Sequence, residues 1–354
     1  MLGSRRAAHS AGATALALLL GACTTATPAS APPSAAPTTG APTTGASGAA
    51  AGSPTPAPAV TKTFTFAPDA VVDTKLASTE DLYINPGALI EVDGTLHMFP
   101  NSFSTWPGRM KIPHLTSSDG VTWTLDTKAA VLDTDTSGLF PMADPGIDIS
   151  TGFVTDAGTW TLLFENVSNT DPWKVYRMTA TSPAGPWTVD PKPVLDVGAA
   201  GDFDATGVQW PSVVRIGNRW AAYYAGVRGA GRGTGQIGVA FSDDGVTWTK
   251  QPGSLLQATE AWELRSLDRP RVVSTPSGLV MLYTALDLNR RALATSTDGL
   301  AWTKVPGPSI EQKDFPLQGG SWDSALRYAD GSLQYFLEIG NQTTSIYRAT
   351  LAWP

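Results

Sequence analysis

Acidic side chains recur beside prolines and aromatics at regular places in this chain, and paired carboxyl groups are well suited to moving protons. Asp144 directly precedes Pro145, and Asp268 stands two residues before Pro270. Asp323 follows Trp322, Glu263 follows Trp262 and Asp204 follows Phe203. Two carboxyl groups in one cleft, one protonated and one ionised, form a general acid and a general base. Asp144, Asp268, Asp323 and Glu263 are therefore the catalytic candidates, with Asp148 and Glu165 close to the same place. The bland alternative is that the aromatic–acid pairs brace strand ends and that Asp144 caps a turn. Other chemistries have no footing. No Ser-His-Asp elbow, metal-ligand cluster or phosphate loop is visible, and Gly229-Ala230-Gly231-Arg232-Gly233 lacks a strand-then-helix setting. No cofactor and no catalytic metal are expected.

The elements that must position these acids repeat. Gln209-Trp210-Pro211-Ser212-Val213-Val214, a Gly217 turn and Trp220-Ala221-Ala222-Tyr223-Tyr224 read as two strands joined by a tight turn. Copies begin at Asn85-Pro86, Asp144-Pro145, Arg269-Pro270 and Trp322-Asp323, the last with Asp323 in the proline's place. From Pro86 the steps are 59, 66, 59 and 53 residues. Periods of this length carrying several short strands indicate propeller blades. A second marker runs out of phase: Ser117-Ser118-Asp119-Gly120-Val121-Thr122-Trp123, with counterparts ending in Trp248 and Trp302 and a shortened one ending in Trp187. Asp-Gly makes a tight turn, and the Trp then plugs the space between blades.

The sequence thus predicts an all-β, five-bladed β-propeller over residues 62–354. Blades run from about 81 to 132, 142 to 194, 203 to 256, 262 to 310 and 321 to 350. The lone alternating strand Thr63-Phe64-Thr65-Phe66 is expected to complete the last blade and close the ring, which removes unpaired edges. First strands would line a central channel, with the residues before each proline at one mouth. No long helix is expected.

Ahead of the propeller, residues 1–23 read as a secretory signal. Arg5 and Arg6 precede an apolar run, and Leu20-Gly21-Ala22-Cys23 resembles a bacterial lipobox. Cys23 is the only cysteine, so a disulfide is excluded and lipid attachment is expected. Residues 24–61 hold Ala, Pro, Thr, Ser and Gly almost exclusively, which suits a disordered tether. The expected location is extracytoplasmic, held to the cell membrane by the lipid. A net charge of −7 without a basic run argues against nucleic acid and fits a neutral ligand such as carbohydrate. A monomer is expected.

Five blades of this kind, with Asp-Pro and Trp-Pro starts, resemble the five-bladed β-propeller glycosidases. These are the arabinanase, levansucrase and invertase relatives, including glycoside hydrolase families 43, 32 and 130. The resemblance covers the chain from about Phe64 onward. It implies glycan hydrolysis at the channel mouth by two carboxyl groups. In the family 43 pattern an Asp before the blade-one proline is base, an Asp in blade two tunes acidity, and a Glu in blade three is acid. Projected here, blade one offers Asn85 and blade three Gln209, both amides, while blade two keeps Asp144. An amide cannot transfer a proton, so the work would pass to other acids or the protein would only bind glycan. Asn85, Gln209, Trp210, Trp106, Trp173 and Arg269 are the expected substrate-binding residues, since Trp faces stack on sugar C–H groups. Arg109, Arg228 and Arg265 are further candidates, and a structural calcium in the channel is allowed for. The Asp-Gly-Trp markers resemble sialidase Asp-boxes shortened by one residue. Sialidases use six blades, which ranks that activity last.

Overall fold

A computed structural model describes residues 62–127, 132–142, 145–229 and 234–354. The Cys23 leader, the tether, Asp144 and part of the Gly-rich loop, including Arg232, lie outside the described residues. Val60–Pro354 forms one compact unit.

Five antiparallel sheets follow one another. Their innermost strands are Tyr83–Val92, Pro145–Val154, Gly207–Ile216, Leu267–Thr275 and Gly320–Ala329. Each innermost strand contacts the next, and the fifth contacts the first, so the array closes. Second strands come next, at Thr95–Phe103, Trp160–Ser168, Arg219–Arg228, Gly278–Ala285 and Ser332–Gly340. The expected closure is present in the fifth blade. Thr65–Val72 pairs antiparallel with Thr344–Ala352, Thr65 facing Thr350 and Phe66 facing Ala349. Helix is confined to two single 3₁₀ turns among the described residues, Ala261–Glu263 and Gln312–Asp314.

The second strands are buried on both faces because alternate residues point to opposite neighbours. In blade three, Ala222 and Tyr224 face blade two, while Ala221 and Tyr223 face blade four. Each pair of successive blades encloses its own apolar cluster, including the fifth and first. The Asp-Gly turns guard these clusters. Asp119 accepts from the amides of Val121 and Thr122 at 2.8 Å, and Trp123 meets Phe336 of blade five edge-on at 6.0 Å. Trp248 and Trp302 likewise meet Phe153 and Tyr223 of the preceding blade.

Candidate active site

Every innermost strand carries a β-bulge at the same height. Its pairing shifts between Asn85 and Ala88, Ile149 and Thr151, Gln209 and Ser212, Asp268 and Arg271, and Ser321 and Ser324. A bulge sets two residues against one and re-aims the side chains beside it. Trp210 and Arg269 sit in these bulges at φ of 49° and 46°, a conformation that is uncommon for bulky residues. In blade one the positive φ falls one residue later in the bulge, on Gly87 at 54°, where a Cβ would lie 2.1 Å from the Phe99 carbonyl oxygen.

The register also fixes which residues correspond. Asn85 opposes Asn101, Gln209 opposes Ala225, Asp268 opposes Thr284 and Ser321 opposes Ile339. In blade two the same place is held by Asp148, opposite Glu165. Pro145 is therefore not the counterpart of Pro86. Blade two carries Ile149-Ser150 where blade one carries Pro86-Gly87, so the proline that marks the copy in sequence lies upstream of the bulge. The amides Asn85 and Gln209 do share one column with Asp268.

A cavity of about 1020 Å³ opens above these bulges. One wall, from blades one to three, is aromatic. Trp106 is 45% exposed and stands 5.6 Å from Phe103 and 6.2 Å from Trp173, which in turn stands 6.1 Å from Trp210. Trp173 is fixed by its indole N–H, which donates to the Ser168 carbonyl at 2.8 Å. Asn85 and Gln209 also line the cavity, and the Asn85 carboxamide oxygen accepts from Asn101 at 2.8 Å and from the Gly87 amide.

The opposite wall, from blades four and five, is acidic. Asp268, Asp323 and Glu338 line it together with Arg269 and Trp322. Arg269 lies 3.8 Å over the Trp210 ring and binds both aspartates, Nη1 to Asp268 Oδ1 at 3.3 Å and Nε to Asp323 Oδ1 at 3.1 Å. Arg271 Nη2 adds a second cation to the same Asp323 oxygen at 3.3 Å. One guanidinium bridging Asp268 and Asp323 keeps them closer than about 10 Å, the outer limit for a glycosidase carboxyl pair. Glu338 is 2% exposed and accepts from the Thr344 hydroxyl at 2.9 Å and the Asp323 amide at 3.4 Å. Burial first, then the Asp323 charge, pushes its carboxyl up to about 8.

Two more acids lie beneath. Asp148 accepts from the Asn101 side chain at 2.8 Å, and burial, followed by the charges of Asp323 and Glu165, raises it well above the carboxylate range. Glu165 accepts from the Ser150 hydroxyl at 3.0 Å and from the Trp210 amide; burial ahead of the Asp323 charge pushes it up to about 8. The arrangement sets neutral carboxyl groups around one that is bound by two guanidinium groups. That is a layout for proton transfer in a cavity.

Placement of the remaining candidates differs. Glu263 does not line the cavity. It accepts from Lys304 Nζ at 2.7 Å, the Tyr283 hydroxyl at 2.8 Å and the amides of Thr259 and Glu260. Asp204 has the matching partners in blade three, Lys250 at 2.6 Å and Tyr224 at 3.1 Å. These two acids brace their blades, whereas Asp323, in the third aromatic–acid pair, sits on an innermost strand. Arg109 pairs with Asp133, Arg228 with the Gly201 carbonyl, and Arg265 is exposed; none lines the cavity. Glu338 went unrecognised in the sequence. Its signal was a single charge inside the apolar run Tyr335-Phe336-Leu337-Glu338-Ile339, where an unpaired acid is costly to bury.

A family profile described as β-1,4-mannooligosaccharide phosphorylase, of glycoside hydrolase family 130, matches residues 211–324. A glycosyl hydrolase of Bacteroides ovatus superposes with a TM-score of 0.60 at 15% identity, covering 82% of this chain and 93% of that one. The chain has the five-bladed β-propeller of the glycosidases. A thermostable family 43 glycoside hydrolase shares this propeller at a TM-score of 0.58 and 13% identity, over 80% of this chain and 89% of its own. So does a structure from the family 130 of mannoside phosphorylases, described as containing glycoside hydrolases that target β-1,2 mannosidic linkages in Candida mannan. It scores 0.55 at 16% identity, over 84% of this chain and 95% of its own. An uncharacterised protein of Mycobacterium tuberculosis strain H37Rv is 30% identical over 190 residues, which is 50% of this chain. The chain matches 60% of the length of that relative.

Proposed function

We propose that this propeller hydrolyses a glycosidic bond of an oligo- or polysaccharide in the large cavity, with Glu338 as general acid and Asp268 as general base. The observation that carries this reading is the division of the cavity into an aromatic wall and an acidic wall. A sugar ring lays its apolar C–H face on the exposed Trp106, beside Trp173 and Trp210, with its glycosidic oxygen toward Glu338. Glu338 keeps its proton at neutral pH because its carboxyl is buried, and it gives that proton to the leaving oxygen. Asp268 activates the attacking water. Asp323, bound by two guanidinium groups, shares Arg269 with Asp268, and its charge helps to keep Glu338 protonated.

Water fits the second step better than phosphate does. Among the described residues Arg269 is the one cation lining the cavity, and Asp268 and Asp323 already occupy it. A phosphate dianion would meet three carboxyl side chains there. The test is release of reducing sugar from mannans, arabinans and fructans by the purified chain from residue 60 onward, with and without phosphate. Free sugar formed equally well without phosphate is the expected result; turnover that needs phosphate and yields a sugar phosphate would overturn the hydrolytic assignment. A second reading, glycan binding without turnover, draws on the amides Asn85 and Gln209. It predicts saccharide affinity with no product at all.

The same proposal places the protein at the outer face of the cell membrane, tethered through lipid on Cys23 and residues 24–61. Cells fed a labelled fatty acid should label the chain but not its Cys23→Ala variant, and an unlabelled wild-type chain would refute the lipid anchor.

A further inference from the structure

Beside the main cavity lies a second, smaller one. It measures about 470 Å³ and lies on the hairpin between the second and third strands of blade five. Asn341 lines both cavities, so they adjoin at one side chain. The floor of the second is apolar, with Leu317, Ile339 and Tyr347, and its rim is polar and neutral, with Gln342, Thr343 and Ser345. Asn341 is held by its own amide, which donates to the Thr343 carbonyl at 3.1 Å, and by its side-chain N–H, which donates to the Gln318 carbonyl at 2.7 Å. No ionisable acid or base of the Asp, Glu, Lys or Arg type lines this pocket, in contrast to the acidic wall next door.

From this continuity we infer that the second cavity is a distal subsite for an uncharged sugar unit, on the same glycan whose cleaved bond lies between Trp210 and Glu338. The inference rests on the saccharide reading of the main cavity. An apolar ring floor with amide and hydroxyl groups at the edge suits a pyranose or furanose ring, which is apolar on its face and polar at its rim. An anion or a metal ion finds no partner in it. The substrate is then a chain of several sugars that runs from the aromatic wall across the acids to the blade-five hairpin, rather than a disaccharide.

The probes are gluco-, manno-, arabino- and xylo-oligosaccharides of two to six units, titrated calorimetrically against the intact chain and against the Glu338→Gln variant, which slows turnover. For the sugar that binds, the six-unit chain should bind about 10-fold or more tightly than the two-unit one. Thr343→Trp, which fills the pocket, and Gln342→Ala, which removes a rim amide, should each cut that ratio to about 3 or less. Two variants of opposite size guard against a local misfold, and the thermal midpoint of each checks it. Equal affinity for long and short chains, or an unchanged ratio in both variants, overturns the distal subsite while leaving the main cavity as a saccharide site. Failure of every oligosaccharide to bind overturns the saccharide reading itself and the subsite with it.

Discussion

At the scale of single residues, the site turns on how burial and one shared charge divide the protons among five acids. Glu338 and Glu165 are both pushed up to about 8, by burial first and by Asp323 second. A general acid works only while protonated, so kcat/KM should hold through neutral pH and fall as pH rises through about 8. Glu338→Gln should lower turnover by about 10²- to 10⁴-fold and remove that alkaline limb from whatever activity remains. A variant that keeps the limb while losing rate would assign the proton to another group, Glu165 being the next in line. Asp323→Asn tests the neighbour that raises both. Removing its charge lowers the carboxyl of Glu338, so the residual alkaline limb should move to lower pH, which a pH–rate profile reads directly.

At the scale of elements, the braces and the register explain what the sequence showed and what it hid. The turn chemistry was plain, because Asp-Gly and Ser-x-Asp write the hydrogen bonds of a hairpin into adjacent residues. Blade count was also plain, since it depends on a repeat, and so was closure, since one alternating strand, Thr63-Phe64-Thr65-Phe66, stands ahead of the first copy. The bulge was not. It is defined by pairing across strands, so Asp144-Pro145 copied the look of Asn85-Pro86 although Asp148 holds the matching position opposite Glu165. Glu263 and Asp323 looked alike for the same reason, each following a Trp, yet one meets Lys304 at a blade's flank and the other meets Arg269 at the cavity. The flank brace has its own consequence. Lys304→Met leaves a fully buried Glu263 without its cation, which should destabilise the chain by about 3 kcal/mol in chemical denaturation, with catalysis by the folded fraction unchanged. Between blades one and two, His114 stacks on Phe99 and contacts Asp126 and His97. Burial first, then His97, lowers it from 6.5 to about 4, against the pull of Asp126. Within that window the unfolded chain takes a proton that the folded one refuses, so stability falls as pH drops from 6.5 toward 4. His114→Phe should flatten that fall in thermal melts recorded across the range.

At the scale of the whole molecule, the cavity exists because the ring closes, and closure rests on a strand distant in sequence from its blade. Thr65–Val72 lies on the outer edge of blade five, yet its ends reach into two different blade interfaces. Phe64, 3% exposed, packs in the cluster between blades four and five, and Val72, 1% exposed, packs in the cluster between blades five and one. Burying each such side chain contributes about 1.5–3 kcal/mol, and the strand adds its backbone pairing with Thr350, Ala349, Tyr347 and Ile346. A chain that starts after Val72 therefore loses packing on both sides of blade five and exposes Thr344–Ala352 as an open edge, which invites pairing with other chains. Glu338 stands on the strand next to that edge, one step from the hydroxyl of Thr344, so loosening the blade loosens the proposed acid. The truncated protein should melt at lower temperature, aggregate on heating and lose saccharide turnover. A synthetic peptide covering residues 62–73 should restore the melt and the turnover together. Should the truncated chain instead melt cooperatively at the original temperature, the fifth blade would be holding its shape without the N-terminal strand, and the geometry at Glu338 would have to be set from the innermost strands alone.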